Sequence, residues 1–135
     1  MAELRVALAA NLDTITDTQV SAYMLSNPTP PVIHLFPAAV EYDLAMRRGL
    51  DKVILTVQAF VGFTTDIGAQ KRLDLMLQSA GATSVKAAAE SDKTLGGKAQ
   101  DLRVIAMSGY KVFVVAGRPD VLGAEWNIEI LATGT

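Results

Sequence analysis

Residues 52–63 read KVILTVQAFVGF and carry the strongest strand pattern in the chain. Every second residue from Val53 to Phe63 is apolar, while the alternate positions mix apolar residues with the polar Thr56 and Gln58. Successive side chains of a strand point to opposite faces, so the pattern predicts one wholly apolar face and one mixed face. A strand of this kind is typical of a sheet that carries helices on a single side.

Helical periodicity flanks this strand on both sides. Leu4, Leu8 and Leu12 recur at helical spacing, which predicts an amphipathic helix over residues 2–12. Downstream, apolar residues within 67–80 predict a second helix that ends at Gly81. Ser84 is suited to cap a third, short helix over residues 85–91.

Alternating residues predict the remaining strands. They lie at residues 19–23, 32–36, 40–44, 102–107, 110–115 and 125–131. Pro37 is expected to end the strand that begins at Val32, and the segments 102–107 and 110–115 are either two strands or one long strand bent at Ser108-Gly109. Short turns between neighbouring strands favour an antiparallel or mixed sheet. Residues 1–135 are therefore predicted to form a single α+β domain, whose N-terminal helix and two central helices pack on one face of the sheet.

Composition narrows the functional classes. The chain has 135 residues, of which 50% are hydrophobic and 19% charged, and its net charge is −2. This balance supports a buried core and gives no strong positive field for binding nucleic acid or anionic membranes. The absence of cysteine excludes disulfides, thiolate catalysis and cysteine-containing zinc sites. Because the chain is this apolar and carries this little charge, we expect it to bury part of its surface against other chains.

No targeting or membrane-spanning pattern is evident. The first residues include an acidic Glu3 rather than the basic start of a signal peptide, and no stretch has the length of a membrane helix. The sequence therefore predicts a soluble protein that is made in a cytoplasm and does not contact a membrane.

The glycine pair at Gly96-Gly97, followed by Lys98, is similar to part of a phosphate-binding loop. Such a loop needs a further glycine five positions before the Gly-Lys pair and a hydroxyl residue after the lysine. Asp92 and Ala99 occupy these positions, so the motif fails. A turn that leads into the next strand is the expected structure, because glycine readily adopts positive φ.

Three titratable residues are the remaining candidates for chemistry. His34 is the only histidine and lies in an apolar strand, which favours a structural or interfacial role over catalysis by an unassisted residue. Glu41 and Asp43 are predicted to share a strand face, where they would be paired acids, ligands of a hard cation, or members of an ion-pair network with Arg47 and Arg48. We expect the ion-pair network, and we expect no catalytic residue, metal site or cofactor.

The segment 45–49 is predicted to be a loop at the end of a strand. It contains Met46, Arg47 and Arg48. Methionine adapts to a partner surface and arginine is enriched at interfaces, so this loop is a candidate contact with another protein. The predicted interface therefore consists of Glu41, Asp43, Met46, Arg47 and Arg48.

A series of segments, in order along nearly the whole chain, resembles the tail terminator proteins of long-tailed, non-contractile bacteriophages, most closely those of phages that infect actinobacteria. The segments are LRVALAA (4–10), VSAYM (20–24) before NPTPP (27–31), EYD (41–43), RGLD (48–51), DIGAQK (66–71), SVKAA (84–88), TLGG (94–97), DLRV (101–104) and GAEW (123–126). The central block, from the helix at residue 84 through TLGG to the following strand, carries most of the resemblance.

The resemblance implies a structural virion protein of the phage neck. Proteins of this family assemble as a homo-hexameric ring on the head-proximal end of the tail tube, where they stop tube polymerisation and offer a surface to the head completion or connector protein. They catalyse no reaction and use no cofactor. DNA passes through the lumen of the ring without sequence-specific contact. The expected location is the virion, after assembly in the host cytoplasm.

Two other classes remain open at this stage. One is a different neck component, such as a head-completion or tube protein, which shares the logic of ring assembly. The other is a small α+β enzyme or ligand-binding domain that uses His34, Glu41 and Asp43. A native mass measurement separates the last class, because small enzymes are usually monomers or dimers.

Overall fold

A computed structural model describes residues 2–15, 18–23, 31–42, 50–63, 67–81, 84–97, 99–113 and 121–133. The elements in chain order are α1 (Ala2–Leu12), β1 (Gln19–Ser21), β2 (Val32–Glu41), β3 (Leu50–Phe63), α2 (Ile67–Met76), α3 (Val85–Ala89), β4 (Asp101–Phe113) and β5 (Val121–Thr133). The described strands form one sheet in the order β1-β2-β3-β5-β4. β1 runs parallel to β2 and the other neighbouring strands are antiparallel, so the predicted mixed α+β fold is confirmed.

The central strand β3 divides the molecule into two faces, as its alternation predicts. Val53, Leu55, Val57, Ala59 and Val61 are all buried in the hydrophobic core. The core also receives apolar side chains from the helices and from the neighbouring strands, among them Leu8, Leu12, Leu73, Met76, Val85, Ile33, Leu35, Trp126, Ile128 and Ile130. The three helices therefore pack on the same face of the sheet, as expected, and Trp126 is a core residue.

Polar side chains fix the helices to the sheet and to each other. The Arg5 guanidinium of α1 donates to the carbonyl oxygens of Ala22 (2.8 Å) and Leu35 (3.0 Å), and it lies 4.5 Å from the centre of the Tyr23 ring. The Asn11 amide donates to the carbonyl oxygen of Ala89, the last residue of α3, and to that of Asp92 in the turn after it. These contacts hold the first helix against both β2 and the end of α3.

Ser84 caps α3, as predicted. Its hydroxyl oxygen accepts a hydrogen bond from the backbone N–H of Ala87 at 3.1 Å, and its side chain is fully buried. The helix ends at Ala89, two residues before the predicted end. The N–H of Glu90 still donates to the carbonyl oxygen of Lys86, so the chain keeps a last turn beyond the regular helix.

The prediction that Pro37 ends a strand is wrong. β2 continues through Pro37 to Glu41, so residues 40 and 41 extend this strand instead of beginning another. Two features of the sheet explain why the proline is tolerated. β1 covers β2 only at residues 32–34, which leaves β2 as an edge strand at Pro37, and the register with β3 shifts between Pro37 and Ala39. A proline has no N–H to donate and is therefore placed at strand edges and bulges.

β4 is one long strand with a bend, which was one of the two predicted alternatives. Its register with β5 shifts between Ser108 and Lys111, and Gly109 has a φ of +66° at this position. A second shift in the register of β4 with β5 lies between Val104 and Ala106.

None of the described helices is long and apolar enough to cross a membrane.

Candidate functional site

The mixed face of the sheet carries a set of polar side chains that interact across neighbouring strands. We call this set the polar face, and its members are His34, Glu41, Lys52, Thr56, Gln58, Arg103, Glu125, Asn127 and Glu129. Each lies on β2, β3, β5 or β4, on the side away from the helices. The alternation of β3 and β5 places these residues on one face, and the strand register brings them opposite one another.

Charged residues form a chain of ion pairs across four strands at one end of the polar face. The ammonium of Lys52 on β3 lies 3.5 Å from a carboxylate oxygen of Glu41 on β2 and 3.8 Å from one of Glu129 on β5. The same Glu129 oxygen lies 3.8 Å from the guanidinium of Arg103 on β4. Solvent reaches these groups, so each pair stabilises the fold by no more than about 1 kcal/mol. The ion pairs connect β2, β3, β5 and β4, and Arg103 remains exposed.

Glu41 pairs with Lys52, a partner that the sequence analysis did not name. Glu41 lies at the end of β2 and is exposed. The other members of the predicted interface, Asp43, Met46, Arg47 and Arg48, lie outside the described residues. Sequence reasoning missed Lys52, Arg103 and Glu129, although the alternation in β3 and β5 placed Lys52 and Glu129 on the correct faces.

A hydrogen-bond chain crosses three strands further along the polar face. His34 Nε2 lies 2.6 Å from Gln58 Oε1, and Gln58 Nε2 donates to Glu125 Oε1 at 2.9 Å. The amide nitrogen of Gln58 faces Glu125, so the amide oxygen of Gln58 faces the histidine. An amide oxygen only accepts hydrogen bonds, so His34 Nε2 is the donor to Gln58 Oε1. This nitrogen is engaged as a donor and is not positioned as a general base.

The surroundings of His34 are apolar and aromatic. Its side chain is 3% exposed, and its ring makes edge contacts with Phe36 (centroids 6.1 Å apart) and Phe60 (5.6 Å). Between this end and the ion pairs, the Thr56 hydroxyl donates to Asn127 Oδ1 at 3.3 Å. His34 is thus a buried member of a polar network.

Replacing Gln58 with leucine is expected to lower the free energy of unfolding by about 2 kcal/mol. The substitution removes the hydrogen-bond partner that His34 and Glu125 share, and a polar group that loses its partner destabilises the fold. Gln70→Leu is the matched control, since Gln70 is exposed on α2. Chemical denaturation of the two variants checks the prediction. Equal stabilities would show that the hydrogen-bond chain contributes nothing.

The glycine pair forms a turn, as predicted, and the turn is organised by a carboxylate. Asp92 accepts hydrogen bonds from the Thr94 hydroxyl (2.7 Å), the Thr94 N–H (3.1 Å) and the Gly96 N–H (3.0 Å). Leu95, Gly96 and Gly97 all have positive φ, and Leu95 is buried. The hydroxyl of Thr94 and then these backbone groups hold the pKa of Asp92 below its ordinary value. The backbone N–H groups of this turn therefore donate to a carboxylate of the same turn.

Glu90 connects the end of α3 to the edge of the sheet. Its carboxylate lies 2.6 Å from the Lys86 ammonium and accepts a hydrogen bond from the backbone N–H of Val104 on β4 at 3.0 Å. Burial opposes its ionisation, but the hydrogen bonds from Lys86 and Val104, with the charges of Lys86 and Lys93, together lower the pKa of Glu90. This contact stabilises the fold above the ordinary carboxyl range and is lost as the pH falls through the lowered pKa.

Among the described residues, no three histidine, aspartate or glutamate side chains lie close enough together to hold a metal ion. A shallow pocket of about 230 Å³ lies between the helices and is lined by Thr14, Gly81, Ala87, Ala88 and Ser91. The Thr14 and Ser91 hydroxyls donate to the carbonyl oxygens of Asn11 and Ala88, each within its own turn.

No protein-family model matches the chain, and no curated protein matches it.

Proposed function

We propose that this chain is a structural protein of a phage neck: a tail terminator that forms a homo-hexameric ring on the head-proximal end of the tail tube. There it stops tube polymerisation and joins the tail to the head connector. The observation that carries the proposal is the ordered series of segments, from residue 4 to residue 126, that resembles this family.

Three structural features support an assembly role. The sheet has long strands and two different edges, one formed by the short β1 with the uncovered part of β2 and one by the 13-residue β4. Unlike edges allow the head-to-tail contacts from which rings are built. Large apolar side chains remain exposed in the isolated chain, including Tyr42 at 72% and Ile67 at 67%. Such surface is typical of proteins that associate.

The charge balance supports the passage of DNA. The chain has a net charge of −2 and so no excess of positive charge. A lumen lined by such a chain gives phosphate groups little to bind, which suits the passage of DNA without adhesion. The proposed partners are five further copies of this chain, the tail tube protein below and the head completion or connector protein above.

The first alternative is another ring-forming component of the neck, which shares these features. The experiment that separates the two is the length of the tails. A tail terminator that is lost by an amber mutation leaves tubes that grow beyond their normal length, whereas loss of a head-completion protein leaves tails of normal length without heads.

A small enzyme or ligand-binding domain is the second alternative. It requires His34, Glu41 and Asp43 to act on a shared ligand. His34 Nε2 is engaged with Gln58, and Glu41 pairs with Lys52 near the other end of β2. A structure with a metal ion or a nucleotide bound by these three residues would overturn the proposed structural role.

A further inference from the structure

The outer edge of β4 is the largest exposed strand edge in the described sheet. β4 is last in the strand order and pairs with β5 on one side. It has 13 residues, whereas β1 at the opposite edge has three. Three large apolar side chains along β4 are exposed: Ile105 (46%), Met107 (37%) and Tyr110 (40%). No charged residue lies between Arg103 and Lys111.

Natural sheets protect such edges, because exposed N–H and C=O groups pair readily with another strand. In β4 the protection lies at Val104. The carboxylate of Glu90 accepts a hydrogen bond from the N–H of Val104 and is held in place by Lys86. A carbonyl oxygen of an added strand would compete with Glu90 for this N–H. From Ile105 to Tyr110, none of the described side chains makes a comparable contact with the backbone of the edge.

We propose that the outer edge of β4, from residue 105 to residue 110, is the surface on which a second copy of this chain adds a strand, and that Glu90 is an autoinhibitory contact that restrains this pairing at Val104. The proposal rests on the proposed function, which requires contacts between copies. The uncharged, apolar character of residues 104–110 fits a neighbouring strand of the same chain better than a charged partner. Pairing of β4 with an unlike edge also gives a contact that closes into a ring.

The first test measures self-association of the purified full chain by analytical ultracentrifugation. Glu90→Ala releases the Val104 N–H, so we expect it to lower the concentration for half-association by about tenfold, the effect of gaining one hydrogen bond between copies. Adding Ile105→Lys and Met107→Lys to this variant should restore the monomer, because lysines on an edge strand oppose pairing. Gln70→Lys on α2 is the matched control, since Gln70 is exposed and α2 packs against the central strands β3 and β5.

Two results would overturn the proposal. One is a folded Glu90→Ala variant that associates no more readily than the unaltered chain. The other is association that Gln70→Lys weakens as much as the two β4 lysines do. Circular dichroism establishes that each variant is folded.

A second measurement uses the unaltered chain and so does not depend on the folding of a variant. Hydrogen exchange at residues 105–110 is compared between the dilute chain and the chain in assembled tail particles. We expect exchange to slow by at least about tenfold on assembly. Unchanged exchange in tails that contain the chain would overturn the edge contact and leave the proposed function standing. Absence of the chain from tails would instead overturn the proposed function, and the association experiment would still decide the edge contact.

Discussion

Leu55→Ala is expected to lower the free energy of unfolding by about 2–5 kcal/mol, because it leaves a cavity at the centre of the core. Leu55 is fully buried on β3, which pairs with β2 on one side and β5 on the other. The strand alternation alone assigned this residue to the apolar face. Chemical denaturation, followed by circular dichroism, measures the change.

The matched control for this substitution is Leu75→Ala. Leu75 is 47% exposed on α2, so the same atoms are removed from a site that water already reaches. We expect a change within about 0.5 kcal/mol. Similar losses at both positions would show that β3 is not the centre of the core.

Arg47→Ala combined with Arg48→Ala is expected to disrupt assembly while leaving the monomer stable. If the loop contacts a carboxylate on a neighbouring subunit or on the tube protein, truncating one partner of a desolvated pair costs about 2–5 kcal/mol of binding free energy. Tails should then lengthen abnormally or fail to join heads in an assembly assay. The thermal stability of the isolated chain should not change.

A control of equal charge is available on the described surface. Lys71→Ala combined with Lys93→Ala removes two exposed cations from α2 and from the turn after α3. Assembly should be normal in this variant, because the effect of Arg47 and Arg48 depends on their location. Normal tail length and full infectivity of the double arginine variant would show that segment 45–49 is ordinary surface.

Much of the fold was predictable because the spacing of apolar residues and the residues that cap helices are local properties of the sequence. The alternation of β3 identified both faces of the sheet, and Ser84 identified the start of α3. The prediction at Pro37 was wrong because a proline is tolerated where a strand is uncovered, and it is the strand order that leaves β2 uncovered at this residue. Ile67 is one of the apolar residues within 67–80 that predicted α2, yet it is 67% exposed as the first residue of this helix.

The polar face was less predictable, because its members come from distant parts of the chain. Gln58 and Glu125 are 67 residues apart, and only the pairing of β3 with β5 brings them together. Glu90 and Val104 are only 14 residues apart, but the contact between a side chain after a helix and the backbone of a strand follows no periodic pattern either. Sequence patterns place such residues on a face but do not give the register between strands.

The most direct test of the central claim is an electron cryo-microscopy map of the neck of the virion that contains this chain. The proposed function predicts six copies in a ring at the head-proximal end of the tail tube, between the tube and the head connector. A ring of any other symmetry at this position, or the chain located elsewhere in the particle, would contradict it.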